Sequence, residues 1–430
     1  VYVLIMADVV HRTLAAMVGA FCALCLLATT GYLASMSTTI IWMDEGTLAL
    51  LFGMMVLVAL VSTTGVFEWC AIRALAMSKG SLPRLLILLS LSAAGLSAFL
   101  DNVTTMLLFA PVTVELAAIL EIDPIPLLMS EVIFSNVGGT ATMIGDPPNI
   151  IIGNMLSDQI SFLDFITNLA PCIALCIGPT AGFLLWYYKE ELSKPIKPVD
   201  LDELRRRYEI SNPVLLVKAG CVLGNVLLLF FLHPLHHVDT SWIACIGAIS
   251  LLIVASPHEL HHVFTHVEWD TLLFFAALFV MIEAMAMMGL IRAIGDVVAA
   301  VILAAPEEAQ LRVALVVILW VSAIVSGFLD NIPYTATMVP VIRILAEHED
   351  LDLPLKPLVW ALSLGACLGG NMTLVGASAN LVTVGAAENA GHKVSFVEFM
   401  KVGAPITFIT IAISTGYCLT VYDALGLGHE

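Results

Sequence analysis

The sequence predicts an all-α polytopic membrane protein of two inverted repeats, each with a re-entrant hairpin and a broken transmembrane helix. The 430 residues are 60% hydrophobic and only 12% charged, whereas soluble domains carry about 25% charged residues. The mean hydropathy is +0.99, and many apolar runs exceed the roughly 18 residues that indicate a membrane helix. An Asp-Asn pair interrupts an apolar run in each half of the chain, which indicates an internal repeat. A carboxylate within a membrane-spanning run is energetically costly, so its presence points to a functional site.

The two halves share six features in the same order. The pairs are Thr47 with Thr271, Asp101 with Asp330, Gly138-Gly139 with Gly369-Gly370, Gly145 and Asn149 with Gly376 and Asn380, Ser161 with Ser395, and Pro171 with Pro405. Chance similarity between apolar segments can produce one such match but not a whole ordered series. We therefore expect a first repeat at 1–188, a linker at 189–212, a connecting helix at 213–240 and a second repeat at 241–430.

The order of apolar runs predicts the membrane topology. In the first repeat, 13–34, 47–65, 126–153 and 163–188 are expected to cross, and 85–120 is expected to form the re-entrant hairpin. The second repeat follows the same plan with its hairpin at 311–346. One unpaired crossing at 213–232 separates the repeats, so the second must be inverted. The stretch 66–84 is too polar to span and is expected to be an interfacial helix.

The distribution of basic residues predicts a cytoplasmic N-terminus and a cytoplasmic linker. In that orientation all of the 17 Lys and Arg face the cytoplasm except Arg292, Arg312, Arg343 and Lys356, as the positive-inside rule requires. The net charge of −18 excludes a basic patch for nucleic acid. The expected partners are therefore small inorganic ions and the lipid bilayer.

Two metal-like patterns have simpler explanations. Cys22 and Cys25 have CxxC spacing but lie in the first apolar run, where Cys behaves as a small apolar residue. The run from His258 to His262 matches the zinc-protease signature HExxH, but it follows Pro257 in a predicted short loop with no domain to hold a peptide. We interpret it as a His-rich surface loop and expect neither enzymatic activity nor a bound metal cofactor.

Four helix interruptions carry the candidate site. Two are the Asp-Asn hairpin tips, and two are Gly-rich breaks near mid-membrane, where freed backbone groups are tolerated only if they line a cavity or are satisfied again. Exposed carbonyl, amide and hydroxyl oxygens form a cage for a small cation, while half-helix N-termini favour an anion. The candidate residues are Asp101, Asn102, Thr104, Thr105, Gly139, Thr140, Asp146, Asn149, Asp330, Asn331, Thr335, Asn371, Thr373, Ser378 and Asn380.

The charge of these motifs favours a cation. Asp101, Asp146 and Asp330 are acidic, and no Lys or Arg lies in any of the four motifs. A bare anion would meet net negative charge, so we expect a proton or Na⁺ at the centre with any anion bound beside it. Helix capping is a compatible role for the three acids, and for Asp146 a cap or loop role fits as well as ligation. Glu131 and Glu283 also lie in apolar runs, where each fits either a proton relay or a position near a helix end with its head in the interface. We favour the interfacial position for both.

These motifs resemble a known family. The stretches Ser97–Thr113, Ile144–Asn149, Asp330–Thr337, Gly365–Asn371 and Gly376–Asn380 look like the P protein family, also called pink-eyed dilution or oculocutaneous albinism type II. The likeness covers nearly the whole chain and extends more distantly to arsenite permeases, NhaD-type Na⁺/H⁺ antiporters and dicarboxylate carriers of the ion transporter superfamily. The linker at 189–212 is shorter than the cytoplasmic insertion expected in mammalian P proteins.

The resemblance implies a function as well as a fold. It implies a homodimeric inverted-repeat transporter with a scaffold and a moving domain, located in the melanosome membrane. It also implies an anion (chloride) current that raises lumenal pH and supports melanin synthesis. By analogy the site residues would be Asp101, Asn102, Thr104, Asp330, Asn331, Asn371 and Asn380. Three hypotheses stay open: an organelle pH-controlling ion transporter, a Na⁺/H⁺ antiporter that binds its ions at Asp101 and Asp330, and a passive anion channel.

Overall fold

The computed structural model describes residues 11–32, 34–197, 199–255 and 260–426. Every regular element in these ranges is helical, and eight helices are long and apolar enough to cross a membrane. The all-α polytopic architecture is therefore confirmed. The path of the two hairpins through the membrane stays a prediction.

The described residues of the first repeat form nine α-helices. They are α1 (Arg12–Thr29), α2 (Met36–Ile41), α3 (Glu45–Ser62), α4 (Val66–Ser78), α5 (Leu82–Ser97), α6 (Asn102–Leu120), α7 (Ile125–Gly139), α8 (Pro147–Met155) and α9 (Phe162–Tyr187). After it, α10 (Leu201–Arg207), α11 (Pro213–Phe231) and α12 (His233–His236) lead to the second repeat.

The second repeat follows the same helical plan. Its helices are α13 (Thr240–Ala255), α14 (Leu260–His266), α15 (Trp269–Met287), α16 (Leu290–Leu303), α17 (Gln310–Phe328), α18 (Asn331–Ala346), α19 (Leu355–Gly369), α20 (Ser378–Asn389) and α21 (Phe396–Cys418), which continues as a π-helix over Leu419–Ala424. The helix at Leu290–Leu303 was missed because it is amphipathic and carries Arg292 and Asp296. It is the counterpart of α4, the short helix expected near 66–84.

Matching local signals start the matching helices. Ser161 with Asp164 and Ser395 with Glu398 form capping boxes at the starts of α9 and α21, in which side chains satisfy the first free amides of the helix. Pro111 and Pro340 lie inside α6 and α18, nine residues after the preceding Asn in both repeats. The sequence repeat is thus a repeat of helix boundaries.

The repeats interlock. Within each repeat, α5 packs along α7 and α17 along α19. Between repeats, α1 packs along α15 and α3 along α13, while α6 contacts α20 and α8 contacts α18. Gly369 allows one close approach, because an added Cβ would lie 2.6 Å from the carbonyl oxygen of Ala323. Its counterpart Gly138 is equally tight against Ala94.

The linker lies against the first repeat. Lys197 forms an ion pair with Glu121 (2.5 Å), and Arg207 pairs with Glu115 (3.5 Å). The short helix α10 is capped by Asp200, which accepts from two backbone amides. Of the HExxH run, His258 and Glu259 lie outside the described residues, as do the side chains of His261 and His262.

Candidate ion-binding site

Both Asp-Asn pairs stand at helix starts, with Asp as the cap. Asp101 Oδ1 accepts from the backbone N of Thr104 (2.8 Å), and Asp101 Oδ2 accepts from the Thr104 hydroxyl (2.5 Å). Asp330 Oδ1 accepts from the backbone N of Ile332 (3.0 Å). The capping role that the sequence left open is confirmed for both, and it holds each carboxylate at a half-helix N-terminus.

Each hairpin tip is fastened to the Gly-rich break of its own repeat. The backbone N of Asn102 donates to the carbonyl of Gly145 (3.1 Å), and that of Asn331 donates to the carbonyl of Gly376 (3.2 Å). A side chain on Gly139 would collide with the backbone of Gly145. The two interruptions of one repeat therefore form a single compact unit.

Asn149 and Asn380 hold the broken backbone together. The side-chain amide of Asn149 donates to the carbonyls of Thr140 (3.1 Å) and Thr142 (2.8 Å). That of Asn380 donates to the carbonyls of Gly370 (2.8 Å) and Thr373 (2.9 Å). Both Asn residues are fully buried, so they satisfy carbonyls that would otherwise be unpaired in a non-aqueous interior.

Asn136 joins the two repeats and was missed by the sequence analysis. Its amide nitrogen donates to the side-chain oxygens of Asn371 and Asn380, both at 3.0 Å, and its oxygen accepts from Asn102 at 3.0 Å. The reciprocal contact runs to Asn149, whose oxygen accepts from Ser363 (2.6 Å). A polar residue inside an apolar run was the available signal for Asn136.

Asp146 points away from its own helix and towards the second repeat. It is fully buried at the start of α8, yet its carboxylate makes no capping bond to the described residues of that helix. Its Oδ1 lies 3.4 Å from the donating amide of Asn331. Of the two roles left open for Asp146, the geometry disfavours the side-chain cap.

The hydroxyl-bearing candidates divide into two groups. Thr104, Thr140, Thr373 and Ser378 already donate locally, Thr373 to the carbonyl of Gly327 and Ser378 to Asp330 Oδ2 (3.2 Å). Across the described part of the chain, several buried polar atoms around the breaks have no hydrogen-bond partner. These are Asn102 Oδ1, Thr105 Oγ1, Asp146 Oδ2, Thr335 Oγ1 and the side-chain nitrogen of Asn371.

A basic residue reaches this site from outside the four motifs. Arg12, the first residue of α1, places Nη1 at 3.9 Å from Asp330 Oδ2 and donates to the Ser378 hydroxyl. Its Nη2 donates to the hydroxyl of Thr271 (3.1 Å), and its guanidinium lies 5.7 Å from the ring centre of Phe274. The site is therefore less uniformly negative than its motifs, because a cation enters from a helix distant in sequence.

Glu268 completes the cluster and was also missed. It precedes α15, and its Oε2 accepts from the Thr271 hydroxyl (2.9 Å). Burial, followed by the charge of Asp101, raises the pKa of Glu268 to about 7, against the lowering effect of Thr271 and Arg12. The repeat match at Thr271 marked this position in the sequence without identifying the acid beside it.

Of the two acids outside the motifs, Glu131 is in the wrong place for an interfacial residue. It is fully buried in the middle of α7, where its Oε1 accepts from the Thr113 hydroxyl (2.7 Å). The interpretation of its head in the interface is therefore wrong, since every residue of α7 from Pro126 to Gly139 is buried. Glu283 is exposed and lines a cavity of about 750 Å³.

The geometry as a whole defines a class of protein. Four helix starts, two from each repeat, meet around three carboxylates, and buried oxygens without partners offer ligands to a small cation. An unpaired amide on Asn371 and the guanidinium of Arg12 offer donors to an anion. Interlocked, repeat-built helical architectures with broken helices at the centre are typical of membrane transporters.

Comparisons with known proteins identify the family. The profile of the family described as "Citrate transporter" (CitMHS) matches residues 2–365. An "uncharacterized transporter" of Mycobacterium tuberculosis is 40% identical over 80% of this chain and 78% of its own length. The chain belongs to the citrate transporter family and is a multi-pass integral membrane protein.

The P protein of Homo sapiens is 41% identical over 99% of this chain, which confirms the resemblance to the P protein family. The chain spans about three fifths of the length of the P proteins it matches. The crystal structure of the Alcanivorax borkumensis YdaH transporter matches with a TM-score of 0.61 over 98% of this chain and all of that one. At 14% identity that likeness shows the fold alone.

Proposed function

We propose that the protein is a cation-coupled secondary transporter in which a proton or Na⁺ binds at Asp101, Asp146 and Asp330. One observation carries this proposal: buried carboxylate, amide and hydroxyl oxygens without partners converge where the four helix starts meet. A buried unpaired oxygen is costly, and a cation or a proton removes that cost. The bound cation in turn offsets the negative charge that would repel an anion.

The anion is the second ion of the proposal. Arg12 and the free amide of Asn371 supply donors beside the carboxylates. The citrate transporter family and the P protein resemblance both support an anionic substrate, either a carboxylate or chloride. By the same resemblance we propose an organelle membrane of the melanosome kind, a cytoplasmic N-terminus, a homodimer and a role in setting lumenal pH for melanin synthesis.

Reconstitution in liposomes tests the coupling. Na⁺, pH and chloride gradients are imposed in turn, and cation and anion fluxes are recorded for the wild type, Asp101→Asn and Asp330→Asn. We expect coupled flux in the wild type and at least a tenfold loss in either variant, because each removes a charge from the site. Asp423→Asn serves as the matched control, since Asp423 pairs with Arg312 and neither residue belongs to the four motifs.

The alternatives give distinct results. Chloride flux that ignores Na⁺ and pH and persists in both site variants would establish a passive anion channel and refute cation coupling. Exchange of Na⁺ for protons with no anion requirement would establish the Na⁺/H⁺ antiporter, and the same two carboxylates would then be its ligands. Equal loss in Asp423→Asn would show that the effect arises from general destabilisation.

A further inference from the structure

The two capping carboxylates have different surroundings, although they are counterparts in the repeat. Asp101 directs both oxygens to Thr104 of its own helix. The residue at the corresponding place in the second repeat is Pro333, which has neither a hydroxyl nor a backbone N–H to donate. Asp330 Oδ1 accepts the capping hydrogen bond from Ile332. Asp330 Oδ2 is therefore free to accept hydrogen bonds from residues of other helices.

Those partners are Ser378 and Arg12. The Ser378 hydroxyl donates to Asp330 Oδ2 at 3.2 Å, and Arg12 donates to Ser378 while its Nη1 stands 3.9 Å from the same carboxylate oxygen. The Arg12 side chain is 20% exposed and that of Asp330 is 6% exposed. The charge pair is thus largely withdrawn from water. Outside water, a unit charge acts strongly on its neighbour.

Arg12 is at the same time anchored outside the site. Its second nitrogen donates to Thr271, and its guanidinium lies on Phe274 of the same helix. The neighbouring Thr13 donates to the carbonyl of Asp270 at 2.9 Å. The guanidinium is therefore bound to the start of α15 through Nη2, while its Nη1 faces Asp330.

We propose that Arg12 is a tethered cation that occupies Asp330 and must leave it when a transported cation binds. This proposal rests on the proposed function, because it needs Asp330 to be a cation ligand. Arg12 then acts as a specificity-determining residue of the second repeat: it lowers the affinity of Asp330 for any free cation. Asp101 has no such competitor among its described contacts, so ion affinity at the two half-sites is unequal.

The test compares half-saturating cation concentrations in liposomes, with ²²Na⁺ uptake in one arm and a pH-sensitive dye in the other. Arg12→Gln removes the charge, and we expect the half-saturating concentration of the coupled cation to fall about tenfold. Arg12→Lys keeps the charge and should stay close to the wild type. Arg312→Gln, which also removes one paired cation, should leave the concentration unchanged.

The double variant Arg12→Gln with Asp330→Asn separates this proposal from the proposed function. We expect the effect of Arg12→Gln to vanish when Asp330 carries no charge, because the two residues act on each other. If Asp101→Asn and Asp330→Asn leave coupling intact, the proposed function fails, whatever Arg12 does. If they abolish it but Arg12→Gln keeps the wild-type concentration, only the tethered cation fails.

Two other outcomes would also overturn the proposal. A lower maximal rate with an unchanged half-saturating concentration would mean that Arg12 is a structural clamp between α1 and α15. A loss of anion affinity with unchanged cation affinity would make Arg12 an anion ligand. Size-exclusion chromatography in detergent checks that each variant is folded. Each variant should elute as a single monodisperse peak, as Arg12→Lys does.

Discussion

The start of α15 and the start of α3 are counterparts in the repeat, yet a guanidinium lies at the first and a cavity opens at the second. At α15, Glu268 and Thr271 meet Arg12, the first residue of α1. At α3, Thr47 donates to Asp44 with its backbone N (3.2 Å) and its hydroxyl (3.1 Å). The first residue of α13, the counterpart of α1, is Thr240.

The difference lies in one side chain. Thr240 is too short to reach across, and a cavity of about 750 Å³ opens here, lined by Asp44, Glu45, Asp239, Thr240 and Glu283 among others. The start of α15 therefore carries a cation, whereas the residues named at the cavity are four acids and one neutral threonine. An internal repeat can thus preserve helix boundaries while it assigns opposite electrostatics to its two ends.

The largest loss of stability is expected when Asn136, in the centre of the site, is replaced. Asn136→Leu removes the donor to Asn371 and Asn380 and leaves their buried oxygens unpaired, at a cost of about 3 kcal/mol. Cys367→Ser, at the corresponding place in the second repeat, should cost less than about 1 kcal/mol, because Asn149 keeps its bond from Ser363. Melting temperatures in detergent measure both, and equal shifts would contradict the central role of Asn136.

A smaller effect compares the two acids at the helix starts. The pKa of Glu268 is raised to about 7 from an ordinary 4.5, so its protonated form favours the folded state. The contribution of Glu268 to the free energy of unfolding is therefore largest below about pH 4.5. It falls as the pH rises and levels off above about pH 7. Glu268→Gln removes this loss and should be more stable than the wild type above pH 7 by on the order of 1–2 kcal/mol.

The control for that prediction is Asp44→Asn. Burial also raises the pKa of Asp44, but two hydrogen bonds from Thr47 oppose the shift. We therefore expect little gain from Asp44→Asn at any pH. Melting curves between pH 4.5 and 8 check this, and a pH-independent difference for Glu268→Gln would show that its charge is not responsible.

The smallest effect would sharpen the comparison by adding the missing charge. Thr240→Arg puts a guanidinium at the start of α13, beside the acids of the cavity, and should stabilise the protein by less than about 1 kcal/mol. The gain should disappear in high salt, because the cavity is open to water. A strongly destabilised variant would show that this end cannot accept the arrangement seen at α15.

The sequence was most informative where function depends on local signals. The helix starts at Asn102 and Asn331 were marked by Asp-Asn in apolar sequence, and the breaks were marked by paired glycines. Arg12 was not recognisable, because its partner Ser378 is 366 residues away and nothing in its neighbourhood encodes that contact. Asn136 was hidden because its counterpart is Cys367, so the repeat comparison found no match there.

Helix α1 packs along α15 of the second repeat, and α13 packs along α3 of the first. This arrangement has a consequence for the synthesis of the chain. Helix α1 leaves the ribosome early, but the helix it packs along, α15, is synthesised only after the whole first repeat, the linker and α13. Until then the polar contacts of Arg12 and Thr13 with Thr271 and Asp270 cannot form. The nascent protein must therefore hold α1 in the bilayer without its final neighbour, and biogenesis finishes only when the second repeat has been inserted.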